Sequence, residues 1–503
     1  VIKVYCIYMI DLLLVTPPSR KRVYQGLSDD FAAIEPPVWS GLIATYISSK
    51  NYQVQILDCE AEHLDYEDTV KKIREIDPRL VCFSIYGQQP SASTQCMPGA
   101  IATCKLLNEE SDNKYPTIAI GTHPSALPKK TLEDGPFQYV GKGECLATIE
   151  YLIEYIKGSV SIDKVPGLFY FKDNKVAKNL SSPLIKDLDA VIPRQKLELL
   201  DMSKYRAHNW HSFHNLDTRN SYASLQTSLG CPFKCTFCCI NAPFESNQIR
   251  FWSPDNVIKQ IDELVNKFNI KNIKIPDEMF VLNPKQVISI CDKIIERNYN
   301  LNFWAYARID TLQNEEMLEK MKKAGMNWIG IGIESASEHV RDGVIKGRFK
   351  FEDIVKTVER VKEFDYNIGA NYIFGLPDDD HKSMRNTLDL AKEINSPWAN
   401  FYSAMAYPGS ALHLSAVQNK TKLPEDEGGP GWIGYSQHAY ECLPLPTDHV
   451  SSQEVLDFRD AAFDEYFTNP TYLNMMEKRF GNSVVTHLNT MTSKKLKRSH
   501  HTN

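Results

Sequence analysis

A chain of 503 residues is too long for one ordinary domain; at about 150 residues apiece it holds about three, or fewer if one is a barrel of about 250. Its 57 basic side chains against 63 acidic ones leave a net charge of −6, so electrostatics gives no reason to expect nucleic acid or an anionic membrane as partner. With 43% hydrophobic and 24% charged residues the chain can bury a large core, which excludes a disordered protein.

The apolar opening Val4–Val15 is shorter than the ~20 residues of a membrane-spanning helix and is interrupted by Asp11. It lacks the basic leader and small-residue cleavage site of a secretory signal. It therefore reads as a buried first strand, Ile10–Val15, in a cytoplasmic protein. Further short β-rich runs follow at Val54–Leu57, Leu80–Ile85, Thr117–Ile120 and Phe137–Val140. Helical patterns fill Val38–Ser49, Tyr66–Ile76, Met97–Leu107 and Cys145–Ile156. Such alternation implies a doubly wound parallel sheet, whose ligands bind beyond the carboxyl ends of the strands. Those ends carry Thr16-Pro17-Pro18-Ser19, Ser84-Ile85-Tyr86-Gly87-Gln88-Gln89, Gly121-Thr122-His123-Pro124 and Gly141-Lys142-Gly143-Glu144. No Gly-x-Gly-x-x-Gly follows the first strand, so a dinucleotide is not indicated.

Residues 158–219 read as a connector. Within it, Gly167–Tyr170 and Val176–Ala177 form a hairpin about Lys172-Asp173-Asn174. It ends in His208-Asn209-Trp210-His211-Ser212-Phe213-His214, either a surface loop or a lining of the active site, which makes His208, Trp210 and His211 substrate candidates. From Ser221 the alternation resumes, with strands at Tyr222–Thr227, Ile270–Ile275, Asn302–Ala305, Trp328–Ile333, Asn367–Ile373 and Ala399–Ala404. Helices at Pro254–Phe268, Pro284–Arg297 and Glu315–Ala324 separate some of them. Six units in about 190 residues resemble an incomplete β/α barrel, since eight need about 250. Residues 413–503 are poorly signalled: a Gly/Pro-rich loop at Glu427–Gly434, a helix from Gln453 and a basic tail, Lys494–His501, expected to be a disordered, solvated end.

Eight of the twelve cysteines are scattered and read as small buried hydrophobes; the other four crowd into nine residues, Cys231-Pro232-Phe233-Lys234-Cys235-Thr236-Phe237-Cys238-Cys239, directly after the first barrel strand. Thiolates at Cys-x3-Cys-x2-Cys spacing on one short loop can ligate three irons of a four-iron cubane. A zinc site would want a fourth ligand, and Cys239, adjacent to Cys238, cannot easily close a tetrahedron. Buried structural cysteines fit poorly in a loop rich in Lys, Thr and Pro.

That spacing resembles the radical S-adenosylmethionine (SAM) superfamily. The resemblance implies a [4Fe–4S] cluster held by Cys231, Cys235 and Cys238, with SAM on the fourth iron. By position it puts Phe237 near the adenine, Asp277 and Glu278 at the SAM ammonium or ribose, and Arg308 at the SAM carboxylate. In Gly330-Ile331-Gly332-Ile333-Glu334-Ser335, the acid Glu334 and the hydroxyl of Ser335 would also contact SAM. Gly375-Leu376-Pro377 and Tyr407-Pro408-Gly409 fit the family order and add Gly375 and Pro408 to the SAM-binding set.

Upstream, a doubly wound domain with Pro17-Pro18, Pro36-Pro37, Gly121-x-His123-Pro124 and Gly141-x-Gly143-Glu144 looks like the cobalamin-binding class of that superfamily. By that resemblance Thr16, Pro17, Pro18, Ser84, Tyr86, Gly87, Gln88, Gly121, Thr122, His123, Pro124, Gly141, Gly143 and Glu144 cradle the corrin and its tail. The Asp-x-His-x-x-Gly motif of His–cobalt enzymes is absent, so His123 is expected as a loop or propionamide contact and not a cobalt ligand. The implied organisation is a Rossmann-like cobalamin domain (1–157), the connector, a radical SAM barrel (220–412) and a mostly helical C-terminal region. The implied chemistry is methylation of an unactivated carbon or phosphorus centre of a small molecule, through a 5′-deoxyadenosyl radical and methylcobalamin. A flavodoxin or ferredoxin would supply electrons to a monomer that has no nucleic-acid or membrane partner. A non-methylating rearrangement or cyclisation is the alternative; a non-catalytic iron–sulfur or zinc protein is the remote one.

Overall fold

The computed structural model describes residues 9–501 apart from residue 348; the start of the expected N-terminal strand region, residues 1–8, lies outside the described residues. Chain contacts divide the molecule into two compact units. One holds the described residues up to Ser19, Pro37–Asp201 and Cys239–Ser246; the other holds Arg20–Pro36, Met202–Cys238 and the chain from Asn247 onward.

In the first unit, β1 (Leu12–Thr16), β2 (Val54–Asp58), β3 (Val81–Ile85), β4 (Thr117–Gly121), β5 (Tyr139–Gly141), β6 (Leu168–Lys172) and β7 (Lys175–Lys178) form one sheet in the order β2-β1-β3-β4-β5-β6-β7. The first five strands are parallel. Helices Val38–Ser49, Tyr66–Ile76, Ala92–Ser111 and Leu146–Ile156 intervene, and Leu12–Val15 and Val81–Ile85 are buried throughout, as strands covered on both faces must be. The strand order reverses between β1 and β3, the point where such sheets bind ligands. The hairpin does not stand apart as a connector: β6 pairs antiparallel with β5 and extends this sheet. Its two-residue turn, Asp173-Asn174, has both residues at positive φ (51° and 58°), the turn that matches strand twist.

In the second unit, β8 (Tyr222–Ser224) precedes a two-rung antiparallel ladder of β9 (Ser228–Leu229) with β10 (Arg250–Phe251). Then come β11 (Asn272–Ile275), β12 (Asn302–Arg308), β13 (Met326–Glu334), β14 (Asn367–Phe374) and β15 (Trp398–Ser403). These form a six-stranded parallel sheet in the order β15-β14-β13-β12-β11-β8, with helices between successive strands. The sheet curls. A flat sheet at ~4.8 Å per strand would hold β12 and β15 about 14 Å apart, yet the Trp210 ring lies 4.9 Å from Trp304 of β12 and 6.3 Å from Trp398 of β15. The result is the partial (β/α)6 barrel expected from the spacing.

Helices Ala411–Gln418, Ser452–Phe467, Pro470–Phe480 and Asn482–Ser493 complete this unit. Arg459 Nε donates to Phe401 O (2.8 Å) and Tyr466 Oη to Ser396 O (2.6 Å), fastening the longest of them to β15 and its approach. The basic tail is anchored at one residue, while Lys494, Lys495 and Lys497 stay exposed. Arg498 is 2% exposed, pairs with Asp460 through Nε (2.7 Å) and Nη2 (2.8 Å), and donates to Ala439 O and Gln437 O. A guanidinium with four oxygen acceptors in a fixed fork can be buried where a lysine could not.

Candidate functional site

The cysteine loop begins where β9 ends, at the carboxyl-terminal side of the barrel strands, the face on which β/α barrels carry their chemistry. Gly230 opens it at φ 89°, and a Cβ there would lie 2.2 Å from Gln248 O, so only glycine fits. The loop is tied at its middle. Thr236 N donates to Val344 O (3.0 Å), and Leu412 N, in the first turn of the helix Ala411–Gln418, donates to Thr236 O (2.8 Å). Phe237 packs against Leu412, Leu423, Val344 and Leu376, while Phe233 is stacked beneath the Arg308 guanidinium at 3.9 Å. Cys231 is buried and Cys235 and Cys238 half-buried, all three free thiols. Burial pushes the Cys231 thiol up to about 11, a cost that metal ligation offsets by holding it as thiolate.

Asp277 sits where β11 ends and is 2% exposed. It accepts from Thr227 N (2.8 Å), Thr227 Oγ1 (2.6 Å) and Ser228 Oγ (2.6 Å). This corrects its expected role at the SAM ammonium: its oxygens are taken by the residues that lead into the cysteine loop, which makes it the anchor of that loop. Burial pushes its carboxyl up to about 6 despite those donors. Its neighbour Glu278 is half-buried, and burial raises it to about 7 against the pull of Lys274 and Lys346.

Arg308 closes β12 and is engaged by Asp310 through Nε and Nη2 (2.9 Å each), with Nη1 3.6 Å from Cys235 Sγ. It therefore balances charge at the cysteine loop. Glu334, at the end of β13, has φ 66° beside a register shift at Gly332, and is ion-paired with the buried Lys346. Strained backbone of this kind persists where its surroundings dictate it, commonly at functional sites. A Cβ on Gly332 would meet Glu334 Oε1 at 2.5 Å and Lys346 Nζ at 2.6 Å, so the glycine makes room for the pair. Ser335 is fully buried, its hydroxyl 3.2 Å from Thr387 Oγ1 and accepting from Ser337 N; it shapes the strand end from behind and is not directed at a ligand. Gly375 (φ 78°) and Leu376 both donate to Asp379 Oδ2 at 3.1 Å, and Pro408 is buried in the turn that Ser410 closes on Tyr407 O (2.7 Å). Lys346 and Asp379 carried no signal that sequence reasoning used.

The segment offered as substrate lining lies at the other end of the barrel. Trp210 contacts Trp304, Trp328 and Trp398, all at or near the first residues of their strands. His211 Nε2 bonds Asn302 O (3.0 Å), at the first residue of β12, and burial lowers that imidazole to about 3. His208 pairs with Glu35 (3.5 Å), which also holds the buried Lys274 ammonium (2.9 Å). Trp210 and His211 thus close the amino-terminal floor, the stability face of a β/α barrel, and His208, half-buried and with its imidazole lowered by burial, lies beside Glu35. Trp210 and His211 are corrected from substrate contacts to core.

In the first unit, the loops after β1 and β3 flank the switch point. Gly99 lies so close that a Cβ would be 2.3 Å from Pro18 O, which fixes Thr16-Pro17-Pro18 against the helix Ala92–Ser111. Tyr86 stacks on Trp39 (4.8 Å, 11°), with Phe244 6.2 Å from Trp39. Gly121 (φ 141°) passes over the end of β3, where a Cβ would fall 2.0 Å from Ile85 O. Gly143 N donates to Ser125 Oγ (3.1 Å), and a Cβ on Gly143 would meet only Pro243 O, at 3.7 Å. Gly87 (φ 68°) turns the chain after Tyr86, and Gln88 follows it half-buried. Three of the expected contacts also brace the fold. Ser84 Oγ pairs with Ser40 Oγ (2.9 Å), fully buried His123 meets Thr94 Oγ1 through Nδ1 (3.1 Å), and Glu144 accepts from Ile185 N (2.8 Å). Thr122 and Pro124 are buried beside His123, and Gly141 is packed against Cys145.

The sequence profile of the B12 binding domain matches residues 25–151, and that of the Radical SAM superfamily matches residues 225–391. The chain thus carries a B12 binding domain followed by a Radical SAM domain. It is 28% identical over 463 residues to a Pyrococcus horikoshii protein named as an uncharacterized methyltransferase, covering 92% of this chain and 93% of that one. It is 24% identical to the anaerobic magnesium-protoporphyrin IX monomethyl ester cyclase of Rubrivivax gelatinosus, over 90% of this chain and 77% of the relative. Its fold is similar to that of the cobalamin-dependent SAM radical enzyme OxsB, solved with aqua-cobalamin and SAM, at a TM-score of 0.71 and 16% identity over 97% of this chain and 72% of that one.

The family's cofactors are a [4Fe–4S] cluster, SAM and cobalamin, and the residues present fit them. Three thiolates with Arg308 and Lys346 beside them suit a cluster of negative charge. Among the described residues the buried hydroxyls of Thr16 and Tyr86, at the strand ends that flank the switch point, have no hydrogen-bond partner, a cost of about 1–3 kcal/mol each that a polar ligand removes. Among the described residues, no helix is long and apolar enough to cross a membrane.

Proposed function

We propose that this enzyme is a cobalamin-dependent radical SAM methyltransferase acting on an unactivated carbon or phosphorus centre of a small molecule. The observation that carries the reading is the union, in one chain, of a thiolate loop on the carboxyl face of a six-stranded barrel with a B12-binding sheet, aligned over nearly its whole length with a protein named as a methyltransferase. When bound, the cluster and SAM supply a 5′-deoxyadenosyl radical, and cobalamin supplies a transferable methyl group.

The chain's own residues hold, orient and shield these groups. Cys231, Cys235 and Cys238 ligate the cluster, and Arg308 and Lys346 temper its charge. Asp277 fixes the loop's entry. Glu278, with its raised proton affinity, and Glu334 bind the SAM amino group or ribose, and Gly375 and Pro408 shape the wall beside it. Phe237 closes the adenine side. Tyr86, Thr16 and the backbone at Gly87, Gly121 and Gly143 hold cobalamin. A flavodoxin- or ferredoxin-type donor reduces the cluster, and the enzyme works as a monomer. None of the eleven described cysteines is in a disulfide, which accords with the cytoplasm.

Mass spectrometry of anaerobic reactions containing SAM with a deuterated methyl group tests the reading. A product carrying that methyl, with 5′-deoxyadenosine, supports it; 5′-deoxyadenosine with an isomerised or cyclised, unmethylated product sinks it and favours the second reading. That second reading, a radical cyclase, draws on the 24% identity to the monomethyl ester cyclase.

A further inference from the structure

The C-terminal tail brings together a group of side chains that the radical chemistry does not use. Arg498, locked to Asp460 and to the carbonyls of Ala439 and Gln437, places Ser499–His501 as one short turn against the helix Ser452–Phe467. Ser499 N adds a bond to Tyr440 O (2.9 Å). From that turn His500 Nε2 and His501 Nε2 both reach the same atom, Asp457 Oδ1, at 2.8 Å each, with their rings 4.2 Å apart. Asp457 lies three residues before Asp460, so one helix face grips the tail's guanidinium and receives its imidazoles.

Two imidazoles crowded on one carboxylate oxygen are a poor arrangement of hydrogen bonds but a good donor set. The three ligand atoms all lie within 4.8 Å of one another, and this is the one such group of three among the described residues. Around a tetrahedral zinc with bonds of ~2.0–2.1 Å, ligand atoms stand about 3.3 Å apart, so each imidazole nitrogen, 2.8 Å from Asp457 Oδ1, needs to open from it by about 0.5 Å, a shift within reach of side-chain tips at a surface. His500 also lines a cavity of about 310 Å³, bounded by Gly428–Pro430, Glu441–Pro444 and the start of the helix, while Asp457 and His501 are exposed, so water can reach the group.

We infer that Asp457, His500 and His501 form a second metal site, for a divalent first-row ion of zinc type, that staples the C-terminal tail to the helix Ser452–Phe467. The two-nitrogen, one-carboxylate set favours zinc, copper, nickel or iron over calcium or magnesium, which want oxygen. It is independent of the cysteine loop and does not rest on the methyltransferase reading.

Equilibrium dialysis of the cluster-reconstituted full chain against Zn2+, with iron counted in parallel to show that the cluster is undisturbed, tests it. The wild type is expected to bind one more equivalent of zinc than the Asp457→Asn variant and the His500→Gln/His501→Gln double variant. Zinc should also raise the thermal midpoint of the wild type alone, and the variants' affinity at this site should fall at least tenfold. The Asn and Gln changes preserve shape, and Arg498 still holds the tail in both, so folding is retained. Equal zinc stoichiometry in all three proteins, or calcium or magnesium competing as well as zinc, overturns the inference.

Discussion

Gly230 offers a sharp test of how the cysteine loop is held. Replacing it with alanine imposes two penalties. Its φ of 89° costs an L-residue about 1–2 kcal/mol. In addition, the new Cβ stands 2.2 Å from Gln248 O, so the chain must open by about 1 Å, in a ladder of only two rungs, to reach ordinary contact. Relieving an overlap of that kind costs about 1–3 kcal/mol more. Gly481 in the same unit is a matched control, because its φ is 87° and a Cβ there meets nothing within 4 Å. Gly481→Ala should therefore show the backbone penalty alone. Gly230→Ala should show a further 1–3 kcal/mol, or about a 5- to 150-fold shift toward an opened loop. Urea midpoints and iron retained after anaerobic reconstitution are the assays. The expected outcome is a modest midpoint loss with full iron in Gly481→Ala, and a larger loss with depleted iron in Gly230→Ala. Equal midpoints and equal iron would refute the claim that the Gln248 carbonyl makes this glycine obligatory.

Other outcomes follow from the same geometry. Asp277 is raised by burial to about 6, so its contribution to stability is fully present below the unfolded value of 3.8 and is lost as pH rises through 6. The wild type should lose up to about 3 kcal/mol across that window relative to Asp277→Asn, and parallel pH–stability curves would contradict this. Glu334→Gln strands the buried Lys346 ammonium and should cost about 3–5 kcal/mol and weaken SAM binding; an unchanged melting midpoint counts against the pair. Trp210→Ala should destabilise the barrel by about 3–5 kcal/mol while leaving KM for substrate within about twofold, and a KM effect without a stability effect would return it to the active site. Tyr86→Phe removes a buried hydroxyl that has no partner among the described residues, so the apo-protein should be no less stable while cobalamin affinity, read by visible absorbance, falls; unaltered affinity would separate that hydroxyl from the cofactor.

Periodicity carried most of the architecture, because strands covered on both faces must read as short apolar runs, and each of β11 to β15 lies within a few residues of its predicted position. The helix Ala92–Ser111 begins five residues before the expected Met97, since Pro98 imitates a helix start while the short side chains before it fold into the helix and let Ser93 donate to Ile85 O. What a linear pattern cannot convey is which end of a barrel a connecting segment covers. The aromatic run around Trp210 suggested a binding surface, and only the contacts with Trp304, Trp328 and Trp398 reveal a floor. Adjacent acids are equally opaque. Asp277 and Glu278 look interchangeable in sequence, yet in the loop after β11 only Asp277 accepts from Thr227 and Ser228, while Glu278 stays half-buried. The ion pair of Glu334 with Lys346 spans a loop that no spacing rule connects, and Arg498 shows how a charge run at a chain end becomes core once acceptors converge on it.

Iron and acid-labile sulfide, counted in anaerobically prepared protein together with the electron paramagnetic resonance of the reduced sample, bear most directly on the central claim that Cys231, Cys235 and Cys238 hold a four-iron cluster with one open corner. The account predicts about four of each per chain, a signal altered when SAM is added, and loss of both iron and signal when the three cysteines are changed to alanine. Iron-free protein, or a metal content made up by zinc, would contradict it.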